Sequence, residues 1–259
     1  EPEELYRLTG LPELTTISSA PKILWVKRHE PEVFSRTAKI MLVEDFIVYR
    51  LTGSFTGSAS LLSTSALVDI NRMRYWDLTV DALGIRGMLP EIVEEGSFLG
   101  EIFPAVADEI GLPAELKVYK GSMDQNFSAV GSGNIGPGLI TETTGSALVP
   151  AICTERVDIR PGLSLPFQPH AVPGAYLFMP YAQTAGIVFK WLRDEFGAEE
   201  IRERGNPEAA YDALCALASS VPAGCDGALF LPFLSGASVP RNNPEARGVL
   251  YGLTLKHGR

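Results

Sequence analysis

Cysteine and histidine are both scarce, with three of each in 259 residues. Cys153, Cys215 and Cys225 form no C-x-x-C pair and are odd in number, which excludes a disulfide framework and a cysteine-built zinc site. His29, His170 and His257 are too few and too scattered for a histidine-rich metal centre. His29-Glu30 runs into Pro31 rather than into H-E-x-x-H. No metal bound by the protein's own side chains is expected. Positive charge is in the minority: 22 Lys and Arg stand against 31 Asp and Glu, a formal net charge of −9. So acidic a chain has no general field for a polyanion, so neither nucleic acid nor an anionic membrane surface is an expected partner. No run of 18 apolar residues exists, so no transmembrane helix is expected. The opening Glu1-Pro2-Glu3-Glu4 is acidic where a secretion signal is basic, and the expected compartment is the reducing cytoplasm. The phosphate-cradling G-x-x-x-x-G-K-[ST] and the nucleophile elbow G-x-S-x-G are missing too.

What remains is ordinary globular composition, 46% apolar and 20% charged, with 25 Gly and 19 Pro to make tight turns between short elements. The pattern predicts helices over 22–29, 44–51, 75–83, 124–130, 186–196 and 208–219. Strands are expected at 39–43, 116–119, 139–143, 147–152, 175–179 and 228–231. The segment 54–65 reads as small and polar, and 232–247 as a loop. Helices and strands alternate throughout, so the class is α/β or α+β. Four glycines and a proline fall between Gly131 and Gly138, which marks a connector. Gly131-Ser132-Gly133-Asn134-Ile135-Gly136 does match G-x-G-x-x-G. A dinucleotide site needs that loop to open a helix, and Pro137-Gly138 prevents one.

Two short segments carry chemistry. Gly121-Ser122-Met123-Asp124-Gln125 puts a carboxylate behind small residues that let a ligand approach, the arrangement of a general base. The same Asp124 is equally suited to cap the helix that follows. Thr143-Thr144-Gly145-Ser146 is a hydroxyl-rich turn between two strands. Its backbone N–H groups can form a concavity for an anion, or it can be a plain hairpin turn.

Taken in order, these segments resemble the FGGY family of carbohydrate kinases over nearly the whole chain. Ala20-Pro21-Lys22-Ile23-Leu24-Trp25-Val26 with His29-Glu30-Pro31-Glu32-Val33-Phe34 is similar to the family's xylulokinases. Gly121 to Gln125 resembles the family's G-x-x-D-[NQ], Thr144-Gly145-Ser146 its L-G-T-S turn, and Gly186 to Asp194 its nucleotide-side helix. The most specific block is Phe230-Leu231-Pro232-Phe233-Leu234-Ser235-Gly236, continued by Pro240, Asn242-Asn243-Pro244, Ala246-Arg247-Gly248 and Gly252-Leu253-Thr254.

The resemblance implies an actin-like ATPase (ribonuclease H-like) fold of class α/β, with parts of two lobes. The sugar-side domain would fall at 1–134 and the nucleotide-side domain at 138–259. It implies transfer of the γ-phosphoryl group of ATP, with Mg²⁺, to a hydroxyl of a ketose such as D-xylulose. Asp124 would be the catalytic base and Gln125 a sugar contact. Thr144, Gly145 and Ser146 would lie at the phosphates, with Gly186 and Lys190 flanking the nucleotide. A homodimer is compatible with it. A sugar- or nucleotide-binding module without catalysis is the alternative.

Several features depart from the family pattern. Ser146 stands where threonine is usual and Ala147 where serine is common. Lys190 replaces the glutamine typical of glycerol kinases, and Ile17 stands where they carry an aromatic sugar contact. An N-terminal D-x-G-T hairpin and a downstream Gly-rich segment are both missing, so the sequence is expected to be an internal part of a longer kinase.

Overall fold

In the first half, helices stop at Gly53, Gly84 and Gly111. The computed structural model describes residues 2–159, 165–240 and 243–258, so Arg241 and Asn242 of the diagnostic block lie outside the described residues. Helix α1 spans Pro2–Thr9, α2 Ser19–His29, α3 Pro31–Arg36 and α4 Val43–Thr52. Strand β1 is Thr56–Ser58, followed by α5 (Ala59–Ser63), β2 (Val68–Asp69), β3 (Arg74–Tyr75) and α6 (Asp77–Leu83). Next come β4 (Glu91–Val93), β5 (Phe98–Glu101), α7 (Pro104–Ile110), β6 (Lys117–Tyr119) and α8 (Asp124–Gly131). Helices α4 and α6 end on Gly53 and Gly84, whose φ angles of 78° and 70° turn the chain out of the helix without a Cβ clash. The chain then forms β7 (Ile140–Thr144), β8 (Leu148–Thr154), β9 (Phe167–Pro169) and β10 (Tyr176–Phe178). It ends with α9 (Gly186–Phe196), α10 (Ala198–Arg204), α11 (Ala210–Ser219), β11 (Leu229–Leu231) and β12 (Val249–Tyr251). Among the described residues, no helix is long and apolar enough to cross a membrane.

Two compact units result. One is Glu1–Thr141 with Ala151–Met179, the other Glu142–Pro150 with Pro180–Arg259. In the first, Ala20, Ala66, Leu67, Val80, Leu83 and Ile85 form a buried cluster. Each large member contributes about 1.5–3 kcal/mol of burial. A second cluster joins Tyr6, Ile70 and Phe167. There the Tyr6 hydroxyl donates to the Leu165 carbonyl at 2.6 Å. Strand β10 pairs antiparallel with β8 and β9, with Leu177 opposite Cys153 and Gln168. In the second unit, Arg193 lies 4.6 Å from the Tyr211 ring centroid and bonds Glu208 at 3.0 Å, tying α9 to α11. Strands β11 and β12 pair antiparallel and leave Leu229, Phe230, Leu231, Val249, Leu250 and Tyr251 exposed.

One sequence expectation is corrected here. Residues 39–42 are not a strand: the Ile40 N–H donates to the Met88 carbonyl at 2.8 Å and the Lys39 ammonium to the Gly87 carbonyl at 3.1 Å, with no ladder to a partner strand among the described residues. Val43 already begins α4, with Glu44 and Asp45 in a first turn that favours acidic side chains. The segment 54–65, small and polar in sequence, lies largely inside the fold. Ser58, Ser60, Ser63 and Ser65 are all buried around β1 and α5.

The feature that organises the first unit is an ion pair. Lys120 follows β6, where its backbone N–H reaches the Ser97 carbonyl at 2.8 Å and its carbonyl accepts from Gly96 at 2.9 Å. Its side chain, 3% exposed, reaches inward to Asp45 of α4, 1% exposed. The ammonium donates to Asp45 Oδ1 and, at 3.0 Å, to the Thr56 carbonyl of β1. Burial pushes the Asp45 carboxyl above its ordinary value, and the Lys120 ammonium pulls it back. Gly57 leaves room for the carboxylate, since a Cβ there would lie 3.3 Å from Asp45 Oδ2.

His170 is the other buried ionisable group of note, 4% exposed. Its Nδ1 accepts the Val172 N–H at 3.1 Å, so Nε2, 2.9 Å from the Asn134 carbonyl, carries the proton. Burial holds the imidazole below its ordinary pKa, against the opposing effects of the Asn134 bond and the Glu95 carboxylate.

Two predictions follow from these groups. Lys120→Met strands a buried carboxylate and is expected to cost about 3–5 kcal/mol. The double variant Asp45→Asn/Lys120→Met recovers part of that loss in urea titrations, and equal losses for the two would contradict the pairing. Because the folded pKa of His170 lies below the unfolded one, its contribution to stability is complete above about pH 6.5. It is lost as pH falls through the folded value. Urea midpoints between pH 7.5 and 5.5 should therefore fall more in the wild type than in His170→Gln.

Candidate functional site

Asp124 leads α8 rather than capping it. Met123 holds the cap position and makes no side-chain cap bond, while Asp124 is the first helical residue. The capping role open to it in the sequence is therefore not the one it plays. Its Oδ1 accepts the N–H of Gln125 at 2.7 Å. The side chain is exposed, at a helix N-terminus whose partial positive charge favours a carboxylate. Gln125 follows, half-buried.

The remainder of α8 is fixed from below. Asn126 is fully buried and its Oδ1 accepts the Ala171 N–H at 3.1 Å. Past the helix end, Asn134 donates to the Ala151 carbonyl at 2.9 Å and to Thr141 Oγ1 at 3.2 Å. The Gly131–Gly138 stretch thus closes a helix and opens none, in keeping with a connector. At the front of α8, the loop Gly121–Met123 rests on Ser60. The Ser60 hydroxyl lies 2.7 Å from Ser122 Oγ and accepts the Met123 N–H at 3.4 Å.

In the second unit, the turn after β7 lies against the start of α9. The Gly186 N–H donates to the Gly145 carbonyl at 2.9 Å, and the Ala185 N–H to the Ser146 carbonyl at 2.9 Å. A Cβ on Gly186 would fall 2.4 Å from the Gly145 oxygen, so only glycine permits this approach. The structure therefore brings together Gly145 and Ser146 of one sequence motif and Gly186 of another. Thr144, Gly145 and Ser146 are exposed, and the Thr144 hydroxyl donates to Glu142. Lys190 is held differently. One turn along α9, its ammonium pairs with Asp194 at 2.6 Å. The Lys190 and Arg193 bonds keep the Asp194 carboxyl below its usual range.

Several residues of this arrangement carry no sequence signal of their own. Ser58, Ser60, Glu95 and His170 lie far in sequence from Asp124, and nothing local marks them. Lys120 and Asn126 flank the motif itself, where a charged and an amide side chain turn out to be buried. Among the described residues, no three His, Cys, Asp or Glu side chains come together to hold a metal ion.

Both halves of the chain match known proteins. Residues 1–131 match the N-terminal domain, and residues 143–259 the C-terminal domain, of the FGGY family of carbohydrate kinases. The chain is 30% identical over 241 residues to a xylulose kinase of Escherichia coli K12, covering 93% of this chain and 48% of that protein. It is 32% identical over 240 residues to a xylulose kinase of Lactococcus lactis, covering 92% of this chain and 46% of that protein. The solved structure of ligand-bound xylulose kinase from Lactobacillus acidophilus superposes with a TM-score of 0.87 at 26% identity, over 99% of this chain and 50% of that one. The chain spans about half the length of the curated relatives it matches. It shares the actin-like ATPase fold of these kinases. From the order of its motifs, its two domain matches and its fold, the chain belongs to the FGGY family of carbohydrate kinases.

Proposed function

We propose that this chain carries the sugar-side base and part of the phosphate grip of an ATP-dependent carbohydrate kinase. The observation that bears most weight is the placement of Asp124, an exposed carboxylate on the first turn of a helix locked at both ends. Phosphoryl transfer needs little covalent help from a protein; it needs positioning, charge stabilisation and one group to take the proton of the attacking hydroxyl. Asp124 takes that proton as the sugar oxygen bonds to the γ-phosphorus and ADP departs. Gln125, next on the same turn, orients the sugar.

The Thr144–Ser146 turn, exposed and carrying the Ser146 hydroxyl, would meet the phosphates. The glycine contact at Gly186 fits it to α9, so the residues present suit a nucleotide. Mg²⁺, arriving with ATP, would share the charge of the phosphate oxygens. Lys190 and Asp194 form the charged flank of this helix. The acceptor class is a ketose, with D-xylulose the favoured member. The names of the two xylulose kinases compared above support this choice. So does Ile17, exposed where glycerol kinases carry an aromatic contact.

Two variants of the gene product that carries this chain test the reading. Asp124→Asn should lower kcat by about 10²–10⁴-fold while the affinity for ATP stays within about twofold. Near wild-type turnover would remove Asp124 from the role of base. Sugar and ATP binding without turnover in the wild type would leave a binding module in place of an enzyme. Gly186→Ala overpacks the turn, at about 1–3 kcal/mol. The expected result is a ten- to hundredfold weaker ATP affinity, about 1.4 kcal/mol per tenfold, with sugar affinity unchanged. Unchanged ATP titrations would exclude the turn from the nucleotide site.

A further inference from the structure

Beneath the loop that delivers Asp124 runs a chain of three serine hydroxyls. Ser58 and Ser60 are fully buried and Ser122 is half-buried. Ser58 Oγ lies 3.4 Å from Ser60 Oγ, and Ser60 Oγ 2.7 Å from Ser122 Oγ. A hydroxyl has one proton to give and two lone pairs to receive. Ser58 already accepts the Leu61 N–H at 3.4 Å, capping α5, and Ser60 accepts the Met123 N–H.

Only one direction leaves no buried proton without an acceptor: Ser58 donates to Ser60, and Ser60 donates to Ser122. The reverse direction would strand the Ser58 proton in the interior, which costs about 1–3 kcal/mol. In the favoured direction Ser60 uses its one proton and both lone pairs, two of the three on the Ser122–Met123 segment that precedes Asp124. The Ser60 N–H is itself held by Glu95 Oε1 at 3.3 Å. Ser60 is therefore tied down on its own backbone and tied to the loop through its hydroxyl.

We infer that Ser60 is a positioning residue for Asp124, setting the Ser122–Met123 segment so that the carboxylate meets the sugar hydroxyl. This inference rests on the kinase reading of Asp124. Ser58 supplies the internal control. It belongs to the same hydroxyl chain and caps α5, but it touches neither Ser122 nor Met123.

The test compares Ser60→Ala with Ser58→Ala in the full gene product. Ser60→Ala is expected to lower kcat about 10²-fold, the cost of displacing a reacting group by about 1 Å, with the KM for ATP unchanged. Ser58→Ala should lower the melting temperature through the lost cap and leave kcat within about twofold. Equal kcat losses for the two, or none for Ser60→Ala, would overturn the assignment. Amide hydrogen exchange gives a reading that does not depend on turnover. Ser60→Ala should speed exchange at Met123 and its neighbours while Ser58→Ala leaves them slow, and exchange unaltered by Ser60→Ala would refute the proposal even if no sugar were phosphorylated.

Discussion

The Lys120–Asp45 pair is the constraint on which the first unit turns. Two opposite charges lie within the interior, and neither is tolerable there without the other. Together they fix the end of β6, helix α4 and the carbonyl of Thr56 at one point. The next residue after Lys120 begins the loop to Asp124. A lysine that must reach inward at that position leaves the following four residues little choice of direction. The small residues Gly121 and Ser122 then bring the chain across Ser60 to the start of α8. Packing alone does not specify so sharp a course, because apolar contacts carry no direction, whereas a charged bond with one acceptor does.

The second unit reaches a comparable rigidity by a different route, through the backbone. The turn after β7 meets the first residue of α9 through two N–H to carbonyl bonds, and the contact exists because Gly186 has no side chain. Asp124 and the Thr144–Ser146 turn thus each adjoin a helix start held by something remote in sequence. For α8 the holders are side chains, Ser60 at the front and Asn126 beneath. For α9 the holder is the hairpin turn itself.

Much of this was legible in the residues. The helix over 186–196 matches α9 at both ends, and the expected hairpin strands match β7 and β8 to within two residues. Strong periodicity and clear glycine punctuation account for that success. Short elements escaped: β1 to β5, α3 and α7 have seven residues or fewer, too few for a period to declare itself. The run 39–43 failed for the opposite reason, since an apolar stretch resembles a strand whether or not a partner strand exists. At the site, Asp124 and the Thr144–Ser146 turn stand out because small residues and hydroxyls cluster in sequence there. Ser60, Glu95 and His170 do not, because their roles come from long-range contacts that a linear reading does not contain. The serines of 54–65 are the clearest case. Small polar residues carry no local sign of burial, yet the fold buries them as hydrogen-bonding groups.

The account stands or falls on phosphoryl transfer to a sugar hydroxyl. The most direct measurement is phosphorus NMR of the product formed when the gene product carrying this chain is incubated with Mg²⁺-ATP and D-xylulose. A sugar phosphomonoester appearing in step with ADP would support transfer to the acceptor. If ATP gave only inorganic phosphate and ADP, or stayed intact with every ketose tried, the central claim would be contradicted.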